Sequence, residues 1–197
     1  MKELTSIEEK ILDSALYMIG SYGSLNVPVR AIAKEAGVNV SAINYYFGSK
    51  EIMMQQTKEF FIDNTKAIYT ILDNEELDEK ERLVLFANEI MEHTMRYTGL
   101  SAIFKDANRR KDEDEISKRI VEETKELHHK MELHLNKVVK ADCIYSTYNL
   151  IMFLSSILHP AEKGEALHNG KEIIFNKATR IEYINYIINS LKRTTEN

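Results

Sequence analysis

Residues 29–50 read Val-Arg-Ala-Ile-Ala-Lys-Glu-Ala-Gly-Val-Asn-Val-Ser-Ala-Ile-Asn-Tyr-Tyr-Phe-Gly-Ser-Lys and hold the most specific pattern in the chain. Their spacing predicts two short helices joined by a tight turn at Gly37. Apolar side chains share the inner face: Ile32, Ala33, Ala36, Val38, Ile43 and Phe47. Polar and aromatic side chains share the outer face: Asn39, Ser41, Asn44, Tyr45, Tyr46 and Lys50. This pattern predicts a helix-turn-helix, the motif that lays its second helix in the major groove of DNA.

The composition of the 197-residue chain indicates an all-α protein. Only 7 Gly and 2 Pro are present, and no long stretch alternates apolar with polar residues as strands do. No apolar run reaches the ~18 residues that a membrane span requires, and the first residues contain no apolar segment of signal-peptide length. Cys143 is the only cysteine, which excludes an internal disulfide and a CxxC pair. We therefore expect a soluble, cytoplasmic protein.

Charge is distributed unevenly along the chain. The formal net charge is −5. Between residues 26 and 50 the cations Arg30, Lys34 and Lys50 face the anion Glu35, so this segment carries +2 and the other 172 residues carry −7. Because cations that neutralise phosphates supply most of the non-specific affinity for DNA, a basic segment on an acidic body is compatible with a nucleic-acid partner.

Local signals predict where the helices begin and end. Ser6 followed by Glu9 fits a capping box at the start of a first helix, and Gly23 fits its end. Pro28 suits the first turn of the second helix, and Asn39 suits the N-cap of the third. Further helices are predicted at about residues 49–71, 79–97, 100–110, 116–138, 142–158 and 176–192, with a loop at 159–171. The total is about nine helices.

Two segments make the helix-turn-helix specific enough to identify with a family. They are Ile32-Ala33-Lys34-Glu35-Ala36-Gly37-Val38 and Tyr46-Phe47-Gly48-Ser49-Lys50-Glu51. In order, spacing and residue type they resemble the TetR family of one-component transcriptional regulators, over about residues 7–52. The resemblance implies a three-helix DNA-binding domain at 1–48 and a helical effector-binding and dimerisation domain at 49–197. It also implies a repressor that binds a DNA operator as a homodimer and is released by a small-molecule effector.

The resemblance also implies which residues contact DNA. Lys50 and Tyr46 would contact phosphates, and Arg30 would contact a phosphate or a guanine edge. The full predicted set is Arg30, Asn39, Val40, Ser41, Asn44, Tyr45, Tyr46 and Lys50. Many relatives have a tyrosine at the position of Asn44, so its role stays open, although asparagine can read adenine. Packing within the hairpin is the alternative role for both tyrosines.

Assembly follows from the size of one helix-turn-helix, which covers a single half-site. Two copies are expected to bind a near-palindrome whose half-sites lie ~34–36 Å apart or a multiple of that distance. The last two helices carry wide apolar surfaces that predict a four-helix dimer interface. The predicted interface residues are Ile144, Ile151, Leu158, Ile181, Ile184, Ile188 and Leu191. Burial of these helices within one subunit is the alternative.

The middle helices are expected to hold the effector, a small apolar or amphipathic molecule. An apolar cavity with a few hydroxyl groups is typical of a small-molecule site, and methionine suits a pocket that adapts its shape. The predicted lining is Met91, Met95, Tyr97, Phe104, Met131, Tyr145, Tyr148 and Met152. For each of these residues, plain core packing is the alternative.

A different class of protein shares one pattern with this chain. Residues 126–129 and 165–168 each have the Glu-x-x-His spacing of carboxylate-bridged di-metal bundles. Such an enzyme needs two further inward glutamates, and the second copy falls in a predicted loop. A helix-turn-helix protein that acts mainly through a protein partner is another alternative. We expect no enzyme, no catalytic residue, no metal, no cofactor and no membrane partner, with His128, His129 and His134 solvated.

Overall fold

The protein is helical throughout the part that the computed structural model describes, which is residues 6–98, 100–140, 143–163 and 170–195. These residues form ten α-helices and one turn of 3-10 helix, Thr70–Asp73, with no strand among them. The helices are α1 Ile7–Tyr22, α2 Val29–Glu35, α3 Val40–Phe47, α4 Lys50–Tyr69, α5 Glu79–Arg96, α6 Leu100–Arg110, α7 Glu115–Val139, α8 Cys143–Lys163, α9 Gly170–Phe175 and α10 Lys177–Thr195. The all-α prediction is confirmed. None of the described helices is long and apolar enough to cross a bilayer.

The helices pack into two compact units. Unit 1 contains Met1–Thr65 and Arg96–Thr124, and unit 2 contains Lys66–Met95 and Lys125–Asn197. Two long helices, α4 and α7, contribute residues to both units. The predicted boundary after residue 48 separates DNA binding from effector binding, and it stays a prediction.

The first helix of unit 1 has the ends that its sequence indicates. The Ser6 Oγ accepts a hydrogen bond from the Glu9 N–H at 3.1 Å. Gly23 ends the helix with a φ of +60°, a conformation that costs glycine little. Ile11 and Ile19 lie on the inner face of α1 and are fully buried. Both α2 and α6 pack against this helix.

The start of α2 differs by one position from the prediction. Pro28 precedes the helix as its N-cap, with φ −66° and ψ 133°, and the helix begins at Val29. The proline carbonyl accepts hydrogen bonds from the N–H groups of Ala31 at 2.9 Å and Ile32 at 3.3 Å. Proline is suitable here because its ring fixes φ and no N–H is needed ahead of the first turn.

Unit 2 has one large apolar core, with residues from α4, α5, α7, α8, α9 and α10. Phe86 and Phe153 are its largest fully buried side chains. Ile184, Ile188 and Leu191 of α10 also belong to this core and are 0%, 0% and 2% exposed. The sequence predicts these three side chains at a dimer interface, with burial inside one subunit as the alternative. Their burial agrees with that alternative, and the interface as a whole stays a prediction.

The end of α8 also differs from the prediction. Pro160 lies inside the helix rather than after it. Because proline has no N–H, the carbonyl four residues earlier, that of Ser156, loses its helical partner. The Tyr183 hydroxyl donates to this carbonyl instead, at 2.8 Å. The helix therefore continues to Lys163, and α9 begins at Gly170, both within the segment predicted as a loop.

One charged side chain is buried inside unit 2. Arg180 of α10 is 2% exposed. Its Nε donates to Asn88 Oδ1 at 2.9 Å, its Nη1 donates to the Ile174 carbonyl at 2.6 Å, and its Nη2 pairs with Glu92. All three guanidinium nitrogens have acceptors, which offsets the cost of burying the charge. The network ties α10 to α5 and α9.

Candidate nucleic-acid interface

Gly37 forms the turn between α2 and α3, as the sequence predicts. Its φ of +67° lies in the left-handed region, where other residues are strained. The Gly37 N–H donates to the Lys34 carbonyl at 3.2 Å, and the Val38 N–H donates to the Ala33 carbonyl at 2.9 Å. Ile43 anchors α3 from below and is 1% exposed. Turn and core together fix the path of α3.

Asn39 is the N-cap of α3. Its Oδ1 accepts hydrogen bonds from the Ala42 N–H at 2.8 Å and from the Ser41 hydroxyl at 2.5 Å. Both bonds stabilise the first turn of the helix. The Ser41 proton is therefore donated within the protein, and the lone pairs of its oxygen remain for an external donor. Asn39 retains its Nδ2 donors, so capping and DNA contact are compatible.

The outer face of α3 is polar and aromatic. Tyr45 is 83% exposed and Val40 is 37% exposed. Asn44 and Ser41 are exposed as well. The Tyr45 ring meets the half-buried Tyr46 edge-on, with 5.1 Å between centroids and 85° between planes. Tyr46 thus has a packing partner, whereas Tyr45 presents most of its surface to solvent.

The sequence missed one neighbour of this face. A shallow depression along α3 is lined by Asn39, Ser41 and Tyr45 and also by Ile7 of α1. Ile7 is absent from the predicted set of DNA contacts, and it is 46% exposed. Its position next to the N-cap Ser6 indicates the exposed first turn of a helix, but only the fold places it beside α3.

Lys50 lies at the start of α4, where the backbone already favours anions. The Ser49 Oγ accepts a hydrogen bond from the Ile52 N–H at 3.2 Å. The pKa of Glu51 is lowered by a hydrogen bond from its own backbone N–H and by one from Ser49. Lys50 Nζ reaches Asn26 Oδ1 at 3.4 Å. A phosphate at this terminus would meet a cation and the positive end of the helix dipole together.

Arg30 is the other predicted phosphate contact. It lies in the first turn of α2 and is exposed. Within the described ranges it has no hydrogen bond or ion pair, so its five donors are available to an external acceptor. Lys34, one turn later, is also exposed. The basic segment seen in the sequence is therefore a basic surface in the fold.

The eight residues predicted to line an effector pocket occupy three different environments. Tyr97 and Phe104 belong to unit 1. Met91 and Met131 are fully buried in the core of unit 2, and Met95 packs against that core. Tyr145, Tyr148 and Met152 are exposed on α8, by 52%, 59% and 51%. The set as a whole stays a prediction, with core packing described for the buried members.

Tyr97 has a defined hydrogen-bonding role within unit 1. Its hydroxyl is bonded to Asp13, and Arg96 Nε donates to the hydroxyl oxygen at 3.0 Å. Burial, together with the neighbouring Asp13 carboxylate, raises the pKa of Tyr97 to about 12. Arg96 also forms an ion pair with Asp13 at 2.6 Å. This cluster fixes the segment that leads into α6 against α1.

The predicted dimer residues separate into surface and core. Ile151 is 56% exposed, and Leu158 and Ile181 are partly exposed. The side chain of Ile144 lies outside the described residues. Tyr186 of α10 is 71% exposed and was not in the predicted set. Its position, two residues after the buried Ile184, indicates that it lies on the opposite face of the helix.

The described residues do not support a di-metal site. Glu126 and His129 are exposed on α7, and His129 Nδ1 lies 3.7 Å from Glu132 Oε2. Among the described residues, no three His, Cys, Asp or Glu side chains form a group that could hold a metal ion. The second motif, Glu165 to His168, lies outside the described residues. His134, expected to be solvated, bonds Glu79 Oε2 at 3.1 Å.

The histidine beside the first motif is also less solvated than expected. His128 of α7 is partly buried. Burial lowers its pKa, which favours the neutral imidazole. His129, its neighbour in the chain, agrees with the expectation because its side chain is 70% exposed. Partial burial of a single histidine does not create a metal site, since no further ligand groups converge on it among the residues described.

This geometry defines a helix-turn-helix protein. The sequence model of the family described as "Bacterial regulatory proteins, tetR family" matches residues 11–57. The matched range covers most of α1, all of α2 and α3, and the first two turns of α4. Residues 11–57 are thus similar to the helix-turn-helix domain of the TetR family of transcriptional regulators.

Curated relatives are similar over a limited part of the chain. "HTH-type transcriptional regulator BetI" of Agrobacterium fabrum is 47% identical over 47 residues, which is 24% of this chain and 23% of that protein. "HTH-type transcriptional dual regulator CecR" of Shigella flexneri is 39% identical over 56 residues, 28% of this chain and 25% of that protein. The chain thus spans about a quarter of the length of these relatives. Both carry the name of a helix-turn-helix transcriptional regulator.

Solved structures extend the likeness of fold to nearly the whole chain. A Rhodococcus sp. protein assigned to the TetR family has a TM-score of 0.62 and 11% identity, with 95% of this chain and 100% of that chain covered. A TetR transcription regulator from Haloarcula marismortui has a TM-score of 0.55 and 18% identity, with coverage of 91% and 97%. At these identities the likeness shows the fold alone.

Proposed function

We propose that this chain is a DNA-binding transcriptional regulator that reads its operator through the outer face of α3. The observation that carries the proposal is a recognition helix fixed from below by Ile43 and Gly37, with Asn44 and Tyr45 exposed above. A helix of this kind fits the major groove, where exposed amides can read base edges. The family match over residues 11–57 supports the same role.

Phosphate contacts would flank this reading face. Lys50 at the start of α4 and Arg30 at the start of α2 are the cations that we assign to them. Ser41 and Tyr46 border the same surface, and Asn39 holds the first turn of α3 in place. Phosphate contacts fix the register of a protein on the duplex, whereas Asn44 and Val40 would supply the sequence preference.

We also propose that the regulator acts as a homodimer. Four large side chains follow one face of α8 and are each more than half exposed: Tyr145, Tyr148, Ile151 and Met152. Tyr186 adds a fifth exposed side chain on α10. An apolar stripe of this size is typical of an interaction surface. A two-fold axis through α8 and α10 would cover it and would pair two recognition helices on a near-palindrome.

Repression and release by a small effector complete the proposal and rest on the similarity of residues 11–57 to the TetR family. A ligand that binds one dimer conformation better than the other shifts the population toward it. Coupling of this kind would lower the affinity for DNA when the effector is bound. The core of unit 2 is apolar and contains Met91 and Met131, whose flexible side chains suit a cavity that changes shape. An apolar or amphipathic molecule is the effector class that such an interior would accept.

Selection from a random duplex library, followed by fluorescence anisotropy on the enriched sequence, tests the proposal. We expect a near-palindrome to be enriched. Asn44→Ala should weaken binding to it by roughly 5- to 150-fold, the equivalent of ~1–3 kcal/mol for a lost base contact. The control Lys118→Gln changes an exposed cation on α7 and should have little effect. Absence of any enriched sequence would instead favour action through a protein partner.

A further inference from the structure

A second basic surface lies in unit 1, outside the helix-turn-helix. It is a depression between the α1–α2 loop and α6, and we call it the α6 depression. Its lining includes Gly23, Ser24, Asn26, Lys105, Asp106 and Arg109. We propose that the α6 depression binds the phosphate backbone of DNA next to the half-site, so that the footprint extends beyond the recognition helix. The inference rests on the proposed DNA-binding function.

The charges around the α6 depression leave a positive surplus. Asp106 is the one carboxylate in its described lining. Its Oδ2 accepts a hydrogen bond from Lys58 Nζ at 2.8 Å, and its Oδ1 accepts one from Arg109 Nη2 at 3.0 Å. Lys58 is only 5% exposed, so it requires the carboxylate as its counter-ion. The cation of Arg109, whose side chain is 77% exposed, is therefore left for an external anion.

Asp106 keeps its charge in this setting. Burial alone would raise the pKa of Asp106, but the hydrogen bonds from Lys58 and Arg109, with the charges of Lys58 and Arg110, outweigh burial and lower the pKa. The ionised carboxylate holds the guanidinium of Arg109 at the edge of the depression. A phosphate there would meet a positioned bidentate donor, the geometry that arginine offers to phosphate oxygens.

Further donors line the same depression. Lys105, one turn of α6 before Arg109, is exposed and makes no hydrogen bond or ion pair within the described ranges. The Ser24 Oγ accepts a hydrogen bond from the Asn26 N–H at 3.1 Å and retains its own proton to donate. Lysine, arginine and serine are among the residues that most often contact phosphates in protein–DNA complexes.

The α6 depression begins beside the predicted phosphate contact of α4. Asn26 lines the depression and accepts a hydrogen bond from Lys50 Nζ at 3.4 Å. Because one DNA strand presents a phosphate about every 3.4 Å along its axis, a strand that passes Lys50 offers further phosphates to the adjoining surface. An adjoining groove shares Asp106 with the depression and is less favourable to phosphate, because its carboxylates outnumber its cations. The carboxylates are Glu51, Asp106, Asp114 and Glu115, and the cations are Lys50, Lys58 and Arg110.

Salt titrations on two lengths of the selected operator test the inference. One duplex ends at the outer edges of the half-sites, and the other extends by one helical turn on each side. For the wild-type protein the slope of log K against log[salt] should steepen on the long duplex, by about 0.9 for each phosphate contacted. The variant Lys105→Gln/Arg109→Gln should lose this increment and bind the short duplex as the wild type does. Lys118→Gln should retain it.

The outcomes separate this inference from the proposed function. An increment that survives in the double variant, or its absence in the wild type, overturns the role of the α6 depression. Lys105→Gln alone removes no contact within the described residues. A partial loss of the slope increment in that variant therefore shows that the loss in the double variant does not arise from misfolding. Lys50→Gln should weaken both duplexes. If no duplex is bound with sequence preference, the proposed function fails first.

Discussion

The hydroxyl of Tyr183 donates a hydrogen bond to the backbone carbonyl of Ser156 at 2.8 Å. In a regular helix this carbonyl would accept from the N–H of residue 160, but Pro160 has none. Burial raises the pKa of Tyr183, so the hydroxyl remains a neutral donor. A side chain of α10 thus supplies the bond that the backbone of α8 lacks. The two helices are linked at the point where α8 would otherwise break.

Removal of this hydroxyl should destabilise unit 2. For Tyr183→Phe we expect the free energy of unfolding to fall by about 1–3 kcal/mol, because an acceptor carbonyl is left without a partner. Urea denaturation at a fixed protein concentration measures the change. Tyr22→Phe on α1 is the control, since its side chain is 50% exposed, and the free energy of unfolding should change by less than about 0.5 kcal/mol. Equal losses in the two variants would contradict the role of the bond.

The sequence could not predict this relationship. Proline is a local signal that favours the end of a helix, because it has no N–H to donate. The replacement comes from Tyr183 on another helix, at a distance in sequence that no spacing rule covers. Contacts distant in sequence also decide which surface covers the apolar stripe of α10. The stripe is visible in the sequence, but periodicity does not distinguish whether a stripe is covered by its own core or by a partner.

The N-cap of α3, in contrast, could be predicted from the sequence, because capping depends on residues close in sequence. Asn39 is the N-cap that the sequence predicts, and its two hydrogen bonds hold the first turn of α3. Asn39→Ala should lower helix or protein stability by about 0.5–2 kcal/mol and reduce operator affinity, because the first turn frays. Asn39→Ser retains a capping oxygen and should restore most of both. Thermal unfolding and anisotropy measure the two effects. Restored stability without restored affinity would show that the amide itself contacts DNA.

The buried pair of Lys58 and Asp106 predicts how unit 1 responds to acid. The pKa of Asp106 is lowered in the folded protein, so its stabilising contribution is complete above the ordinary value of 3.8. The contribution is lost as the pH falls through the lowered pKa. At neutral pH, Asp106→Asn leaves the buried lysine without its counter-ion and should cost about 3–5 kcal/mol.

The difference in unfolding free energy between wild type and Asp106→Asn should therefore shrink as the pH is lowered from about 7 to 3. Urea titrations across this range measure it. Asp63→Asn provides a control, because the Asp63 carboxylate is 61% exposed and pairs with Arg119 at 2.7 Å on the surface. An exposed pair contributes about 0–1 kcal/mol, so this variant should change little. A difference that stays constant with pH in Asp106→Asn would contradict the assignment to the ion pair.

The exposed stripe of α8 should determine the oligomeric state. Ile151 lies in its middle, and Tyr145 and Tyr148 contact each other beside it, with 6.4 Å between ring centroids. Around a two-fold axis, Ile151→Glu would bury a carboxylate in an apolar interface and place it near its own copy. A cost of roughly 3 kcal/mol weakens the dimer more than a hundredfold. Light scattering coupled to size exclusion should then show a monomer at concentrations where the wild type is dimeric. Phe104→Glu, an exposed apolar position in unit 1, should leave the mass unchanged.

Because one helix-turn-helix covers only a half-site, monomeric Ile151→Glu should also lose most of its affinity for the near-palindrome while it keeps its helix content. A dimer that survives this change would place the interface elsewhere.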